Sequence, residues 1–359
     1  MTVRIESPRD GDGFAEFVRF ADRAHAGALA YWPALDAIEM PVLLGQSALA
    51  AGKSMRPFVA REHGEIVARV LAVVDPAYAD RWGERLGHLA VFDALAGTRD
   101  AVRAMLDAAC EWLRSEGAIA ARAGSYIPID GPFVIDAYDE LPEFLARVNP
   151  DYYHALLKDA GFETEKGMVD YRIEVTSELV ARYESALEAA RRGGFEITPL
   201  SEMSPERRTA DFVPAFNEAF YNHWGFVAIS EAAFSEFFAL FEVLGGLDTS
   251  VVAYRDGEVA GTLIVVPEQS AMAQVQPGYT LKDSERVNFL GIGVREFARG
   301  RGVNLAMASY AYLKLIRRGA KFVGYGFVLD DNWPSRRTGE KLGGQICSNY
   351  VSYRRNFSR

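Results

Sequence analysis

The chain has 359 residues, 49% hydrophobic and 25% charged, an ordinary globular balance and enough length for about two domains. Its 49 acidic against 39 basic residues give a net charge of −10, which excludes a general nucleic-acid binder, since phosphate contacts need a surplus of Lys and Arg. Cys110 and Cys347 are too few for a disulfide framework or a thiolate zinc site.

No apolar run of ~18 residues reads as a membrane span, and MTVRIESPRDGDG has no apolar leader core, so a cytoplasmic protein is expected. A strand over Thr2–Glu6 is broken by Ser7-Pro8-Arg9-Asp10-Gly11. Phe14, Phe17, Val18, Phe20 and Ala21 then recur at helical spacing, and a second helix is expected over Met40–Ala51. A hairpin follows, Pro57–Arg61 and Ile66–Val74 around His63-Gly64-Glu65. A strand over Gly87–Phe92 leads through Thr98-Arg99-Asp100 into a helix over Ala101–Ser115. Gly117 ends that helix, Cys110 falls on its apolar face, and a strand covers Ala118–Ala123.

The second half repeats this order. A strand over Phe195–Pro199 precedes helices over Ala210–Tyr221 and Glu231–Phe241. The hairpin Val251–Tyr254 and Val259–Val266 turns at Asp256-Gly257-Glu258. A strand over Val287–Val294, a helix over Gly302–Arg317 stopped at Gly319, and a strand over Lys321–Leu329 complete it. HGEIVARVLAVV and DGEVAGTLIVV match position by position, and Leu156–Phe162 resembles Gly339–Gly344, so two copies of one α/β unit with a mixed sheet are expected. The boundaries read as 1–176 and 195–359, joined by a linker helix over 177–194 with Ser177 as its N-cap. The first copy carries an insertion at about Ile127–Val148, rich in Pro, Gly and Asp.

One stretch carries chemistry. Arg299-Gly300-Arg301-Gly302-Val303-Asn304 joins a strand end to a helix start. Its loop is poor in side chains, so its amides can turn to a ligand. The helix N-terminus adds unpaired N–H groups and partial positive charge, and two arginines add full charge. This is a site for a diphosphate.

The order of strands and helices, with this loop, resembles the GNAT N-acetyltransferase superfamily. Its main signature is Gln or Arg, two residues, Gly, one residue, then Gly or Ala. Arg299, Gly302 and Asn304 hold those places, after Ile292-Gly293-Val294 where the central strand usually ends. A second signature starts at an Asn beyond the next strand, matched by Asn332 and Ser335, and closes at Leu342-Gly343-Gly344. Both motifs lie in 195–359; 1–176 matches by element order alone. The resemblance implies acetyl-CoA, or another acyl-CoA, as co-substrate. Its pantetheine arm would pair with the main chain of Ile292 and Val294, and its diphosphate would sit on the amides of Gly300 to Asn304. Matched from the helix-ending glycines, Asp100 stands opposite Gly302 and Gly97 opposite Arg299. A carboxylate then occupies the phosphate position, and the first copy is expected to be degenerate.

Transfer to an amine needs a base, donors on the thioester oxygen and an acid for the leaving thiolate. The resemblance places the acid, a Tyr, seven residues after Asn332, where this chain has Gly339; Tyr325, Tyr350 and Tyr353 are the alternatives. Glu285, just before the central strand, is the candidate base. His223, Trp224 and the strand residue Asn288 are candidates for the acceptor side. No spacing reads as a metal site or as a covalent nucleophile, so direct transfer in a ternary complex is expected, to a small amine, by a monomer or homodimer. The rival readings are a catalytically silent CoA- or ligand-binding module, an enzyme using another, longer acyl-CoA, and a metabolite-specific synthase of the tandem type, similar to mycothiol synthases.

Overall fold

A computed structural model describes residues 3–126, 129–141, 149–266, 273–281 and 288–357, with main chain alone at 266 and 288–290. These form two compact units interleaved in sequence. The first takes the described residues of Met1–Met168, Met272–Lys282 and Ser348–Arg359; the second takes those of Val169–Ala271 and Asp283–Cys347.

The first unit opens with β1 (Val3–Glu6) and α1 (Gly11–His25), whose Asp10 carboxylate caps Gly13 N–H and whose Phe17, Val18, Phe20 and Ala21 are buried. After β2 (Ala30–Tyr31), the helix predicted over Met40–Ala51 is instead α2 (Asp36–Leu43) and a separate tight turn, Ala48–Ala50. Gly45, at φ +69°, turns the chain out of α2, and Ser47 Oγ accepts from Leu49 N–H to start the turn anew. β3 (Ser54–Glu62) and β4 (Glu65–Val74) form the predicted hairpin. α3 (Pro76–Trp82) was not foreseen, although Asp75 and Pro76 supply its N-cap and first position. β5 (Leu86–Ala94), α4 (Arg99–Ser115), β6 (Ala120–Ala123), β7 (Phe133–Val134), α5 (Tyr152–Asp159) and β8 (Glu163–Glu174) follow. Cys110 is buried on α4, and burial pushes its thiol up to about 12.

The second unit holds α6 (Ser177–Arg192), β9 (Phe195–Pro199), α7 (Pro205–Phe220), α8 (Glu231–Leu244), β10 (Val251–Arg255) and β11 (Glu258–Val266). β12 (Gln274–Val275) belongs to the first unit and pairs with β2. β13 (Asn288–Val294), α9 (Val303–Arg317), β14 (Phe322–Leu329), α10 (Trp333–Lys341) and β15 (Gln345–Asn356) complete the chain.

Strand order is β1-β3-β4-β5-β6-β15 in the first unit and β8-β14-β13-β11-β10-β9 in the second. In each, one parallel pair, β5–β6 and β13–β14, stands among antiparallel neighbours. The division differs from a cut at 176 and 195. β8 passes into the second unit from Val169, and β15 passes into the first from Ser348. Nor is 177–194 a free linker. Tyr183 of α6 packs on Tyr312 of α9 with ring centroids 5.1 Å apart, inside the second unit's core. Its cap is Thr176, whose Oγ1 accepts from Leu179 N–H, one residue before the Ser177 expected.

The first unit buries His88 of β5 completely. The ring stacks on Tyr126 at 4.3 Å and meets Tyr78 edge-on at 5.0 Å, and neither nitrogen has a hydrogen-bond partner among the described residues. Burial, with the Arg122 and Lys53 charges, lowers its pKa well below 6.5, so it is neutral in the fold. The unfolded imidazole takes a proton near pH 6.5 while the folded one does not, so stability is full above that pH and falls below it. The slope is about 1.4 kcal/mol per pH unit down to the folded pKa. Thermal melts between pH 7 and 5 are expected to show this loss, reduced in His88→Gln; equal slopes would contradict it.

Candidate functional site

β13 and β14 pair at Asn288–Gly324 and Phe289–Tyr325, and the parallel register ends there. A bulge at Leu290 resets β13 against β11, where pairing continues through Gly261–Val294. Arg295 N–H bonds Ala260 C=O at 3.0 Å, so by antiparallel alternation the main-chain groups of Ile292 and Val294 turn to the opposite edge, towards departing β14. Phe327 of β14 has φ +51°, and its N–H donates to Asp170 Oδ1 of β8 at 2.7 Å. That carboxylate, 1% exposed, ties β14 to β8 just past the last pair of β14 with β13. The result is a wedge with hydrogen-bonding edges.

Gly291 and Gly293 let α7 lie on the back of β13. A Cβ at Gly293 would come within 2.7 Å of Ala219 Cβ, and one at Gly291 within 3.1 Å of the Phe216 ring. The loop opens at the wedge's end. Gly300 and Gly302 have φ +74° and +80°, a region in which a side chain strains the backbone, and space around both is open. The amides of Gly300 to Asn304 donate to no backbone carbonyl among the described residues. Gly302 is the N-cap of α9, which has no acidic residue in its first turn. Arg299 and Arg301 are exposed, and Arg299 Nε reaches back to Val294 C=O at 3.2 Å. Val303 is buried, and Asn304 Nδ2 donates to Thr338 Oγ1 of α10 at 3.3 Å, tying the two helices. Asn332 caps α10 through Ser335 N–H. The loop presents what a diphosphate requires: oriented amides, a helix N-terminus and two cations.

The first unit fills the same place with its own side chains. Leu95 N–H bonds Val67 C=O, as Arg295 N–H bonds Ala260 C=O, so Ala94 corresponds to Val294. Tyr153 Oη accepts from Ala94 N–H at 2.9 Å, and Tyr152 O–H donates to Ala94 C=O at 2.8 Å. Burial raises both phenols, Tyr152 up to about 12, which keeps their protons on. Counting back equally from Gly161 and Gly343, which follow α5 and α10, places Tyr153 opposite the small Ser335. One register expectation is corrected: Thr98, not Asp100, stands at the N-cap position of α4, without a side-chain cap bond, because α4 starts two residues further back than the glycine count implies. Asp100 lies in the first turn of α4, Thr98 Oγ1 donates to Leu95 C=O, and Arg99 pairs with Asp159 at 2.7 Å.

The candidate catalytic groups do not all fall together. Tyr325 sits at the closed end of the wedge, 6% exposed, sharing a 2.6 Å hydrogen bond with Ser335 Oγ; burial pushes it up to about 12. Tyr350 and Tyr353 belong to the first unit, where Tyr350 pairs with Val134 and Tyr353 bonds His154. Glu285 lies outside the described residues, as do 127–128 and 142–148 of the insertion at Ile127–Val148; Asn288 is described in its main chain, opposite Gly324. His223 and Trp224 are half-buried just past α7, with the His223 ring 5.8 Å from Phe220. Sequence reasoning missed Asp170 and Tyr171 on β8, and Tyr152 and Tyr153 on α5. Among the described residues no group of His, Cys, Asp or Glu could hold a metal, and no helix is long and apolar enough to cross a membrane.

No family model matches the chain. Protein YghO of Escherichia coli is 23% identical over 180 residues, half of this chain and 46% of that protein, so the match spans under half the relative's length. Among solved structures, a tandem GNAT protein from the clavulanic acid biosynthesis pathway aligns over 100% of this chain and 99% of its own, with TM-score 0.61 and 12% identity. A GCN5-related glucosamine N-acetyltransferase region of a fungal multi-domain GH3 β-N-acetylglucosaminidase also gives 0.61, at 18% identity, over 98% of this chain and 38% of that one. A GCN5-related N-acetyltransferase from Sphaerobacter thermophilus gives 0.53 at 14% identity, over 99% and 95%. With the repeated unit, its parallel strand pair and the glycine loop, these likenesses identify the chain as having the tandem GNAT acetyltransferase fold.

Proposed function

We propose that the chain is an N-acetyltransferase that uses acetyl-CoA and acts on a small primary amine by direct transfer, with one acyl-CoA site, in the second unit. The wedge edge at Ile292 and Val294, leading to the amides of Gly300 to Asn304, supports this reading more than any other observation. The pantetheine amides would extend β13 as an added strand, and the diphosphate would meet α9 and the two arginines. The amine, once deprotonated, attacks the thioester carbon; the C–N bond forms, the C–S bond breaks, and the sulfur takes a proton. Glu285 as base, and His223, Trp224 and Asn288 on the acceptor side, are part of the proposal. An acyl-CoA other than acetyl-CoA would enter by the same edge.

The test is thiol release from acetyl-CoA with glucosamine, lysine and spermidine as acceptors. Amine-dependent release, lost together with binding when the loop is altered, supports the reading. Tight acetyl-CoA binding with release no faster than without amine, for every amine, would favour a silent binding module.

A further inference from the structure

The connection between β11 and β13 does not stay with the unit whose strands it joins. Its described part, residues 273–281, belongs to the first unit. There Gln274 and Val275 pair antiparallel with Tyr31 and Ala30 of β2. Gln276-Pro277-Gly278-Tyr279 then closes a type II turn. Tyr279 N–H donates to Gln276 C=O at 3.1 Å, Pro277 sets the first corner, and Gly278 takes the positive φ, +86°, that the second requires.

This turn is bound at both ends. Gln276 N–H donates to Leu29 C=O at 2.9 Å, and Gln276 Nε2 donates to Ala26 C=O at 3.0 Å. Ala26 is the C-cap of α1, where carbonyls have no partner within the helix, so the Gln276 amide takes a bond that α1 leaves open. Tyr279 O–H donates to Asp139 C=O in the insertion. The same end of α1 is pinned from below: its last residue, His25, meets Asp93 Oδ1 at 2.8 Å, and Arg69 holds Asp93.

The first unit's own connection behaves differently. Equal spacing from Ala94 and Val294 makes His88 the counterpart of Asn288, and both stand in parallel register, His88 with Arg122 and Asn288 with Gly324. The connection into β5 carries α3, whose Tyr78 folds back on His88 with ring centroids 5.0 Å apart. The connection into β13 carries its turn to the first unit instead. On the acyl-CoA reading, the direction of β13 decides which part of the ligand that connection serves. The diphosphate lies at Gly300 to Asn304 and the pantetheine amides at Val294 and Ile292, so the acyl group lies beyond Ile292, towards the end of β13 that the connection enters at Asn288.

We propose that the first unit, whose own strand edge is filled, serves the reaction by docking this connection, and that Gln276 and Tyr279 are positioning residues for use of the amine. The proposal rests on the acetyltransferase reading of the wedge. Misplacing a reacting group by about 1 Å costs on the order of 100-fold in rate, so a loosened dock lowers turnover of the amine while the loop at Gly300 to Asn304 keeps its hold on acetyl-CoA.

Gln276→Ala with Tyr279→Phe removes the side-chain bonds to Ala26 and Asp139 and leaves the strand pairing and the Pro-Gly turn. Acetyl-CoA affinity, read by calorimetry, is expected to change less than about twofold, while kcat/KM for the best amine falls at least about tenfold. Gln276 and Leu29 form a hydrogen-bonded pair, so Val275 and Ala30 are the close pair beside it, with Cα atoms about 4.5 Å apart, a span that a disulfide bridges. Ala30→Cys with Val275→Cys, added to the double variant, is expected to bridge on oxidation and to recover at least about fivefold in kcat/KM, reversed by reductant. Unchanged kcat/KM in Gln276→Ala with Tyr279→Phe, or cysteines that do not bridge in the otherwise wild-type chain, would overturn the proposal. A wild-type chain that releases no thiol with any amine, while its cysteine variant still bridges, would overturn the acetyltransferase reading and with it the positioning role, a pattern distinct from both.

Discussion

Replacing Gly302 with Asp is expected to weaken acetyl-CoA binding by at least about 100-fold, or about 2.7 kcal/mol. Two effects add. Gly302 has φ +80° at the N-cap of α9, where a side chain strains the backbone by about 1 kcal/mol. The larger effect is electrostatic. A carboxylate there would accept the first-turn N–H groups of α9 and place negative charge where the diphosphate must sit. Gly302→Ala separates the two, because the space around Gly302 is open and only strain remains. Calorimetric titration should rank wild type above Gly302→Ala and both far above Gly302→Asp, with folding intact in all three. Equal affinities for wild type and Gly302→Asp would remove the loop from the site.

The second large effect concerns stability. Arg69 of β4 is fully buried; its Nε donates to Asp93 Oδ2 at 2.7 Å, and its Nη1 to the carbonyls of Phe17 and Val18 and to Glu39. Asp93 also meets His25 Nε2 at 2.8 Å. Arg69→Leu leaves two buried carboxylates and two carbonyls without their cation. Removing one partner of a buried pair costs about 3–5 kcal/mol, which in a unit of this size lowers its melting temperature by roughly 10 °C. Circular-dichroism melts of Arg69→Leu test this, and a shift below 2–3 °C (about 1 kcal/mol) would show that water or rearrangement compensates the loss.

Those same positions explain how one repeated pattern gives two unlike units. Arg69 and Asp93 are cross-strand partners, as Thr262 and Gly293 are in the second unit. The first pair closes its sheet face with a buried ionic network. In the second, Gly293 presents bare main chain on which α7 lies, beside the buried Thr262. The edge of the parallel strand pair diverges likewise: Tyr152 and Tyr153 satisfy Ala94, whereas the position matching Tyr153 is the small Ser335 and Val294 C=O accepts from Arg299 Nε.

The legible parts of this protein were local ones. The hairpins, the glycine loop, its helix and Asn332 follow from patterns within a few residues of each other, and they lie where the sequence places them. What escaped reading was non-local. β8 and β15 each change unit partway along, which no contiguous boundary can express. Asp170 and Tyr171 act on residues about 160 positions away, Phe327, Arg336 and Gly339, and nothing in the local pattern of β8 announces it. Gly339 carried a signal that was open to misreading. Its missing side chain looks like a lost catalytic group in the sequence and is, in the fold, room for Tyr171. The second helix failed for a local reason, since Gly45 ends it early.

The central claim is that the second unit holds the chain's one acyl-CoA site. A crystal structure of the full chain with acetyl-CoA tests it directly. The account predicts one ligand per chain, its pantetheine amides paired with Ile292 and Val294 and its diphosphate on the amides of Gly300 to Asn304. A ligand along β5 in place of Tyr152 and Tyr153, or one bound away from both strand edges, would contradict it.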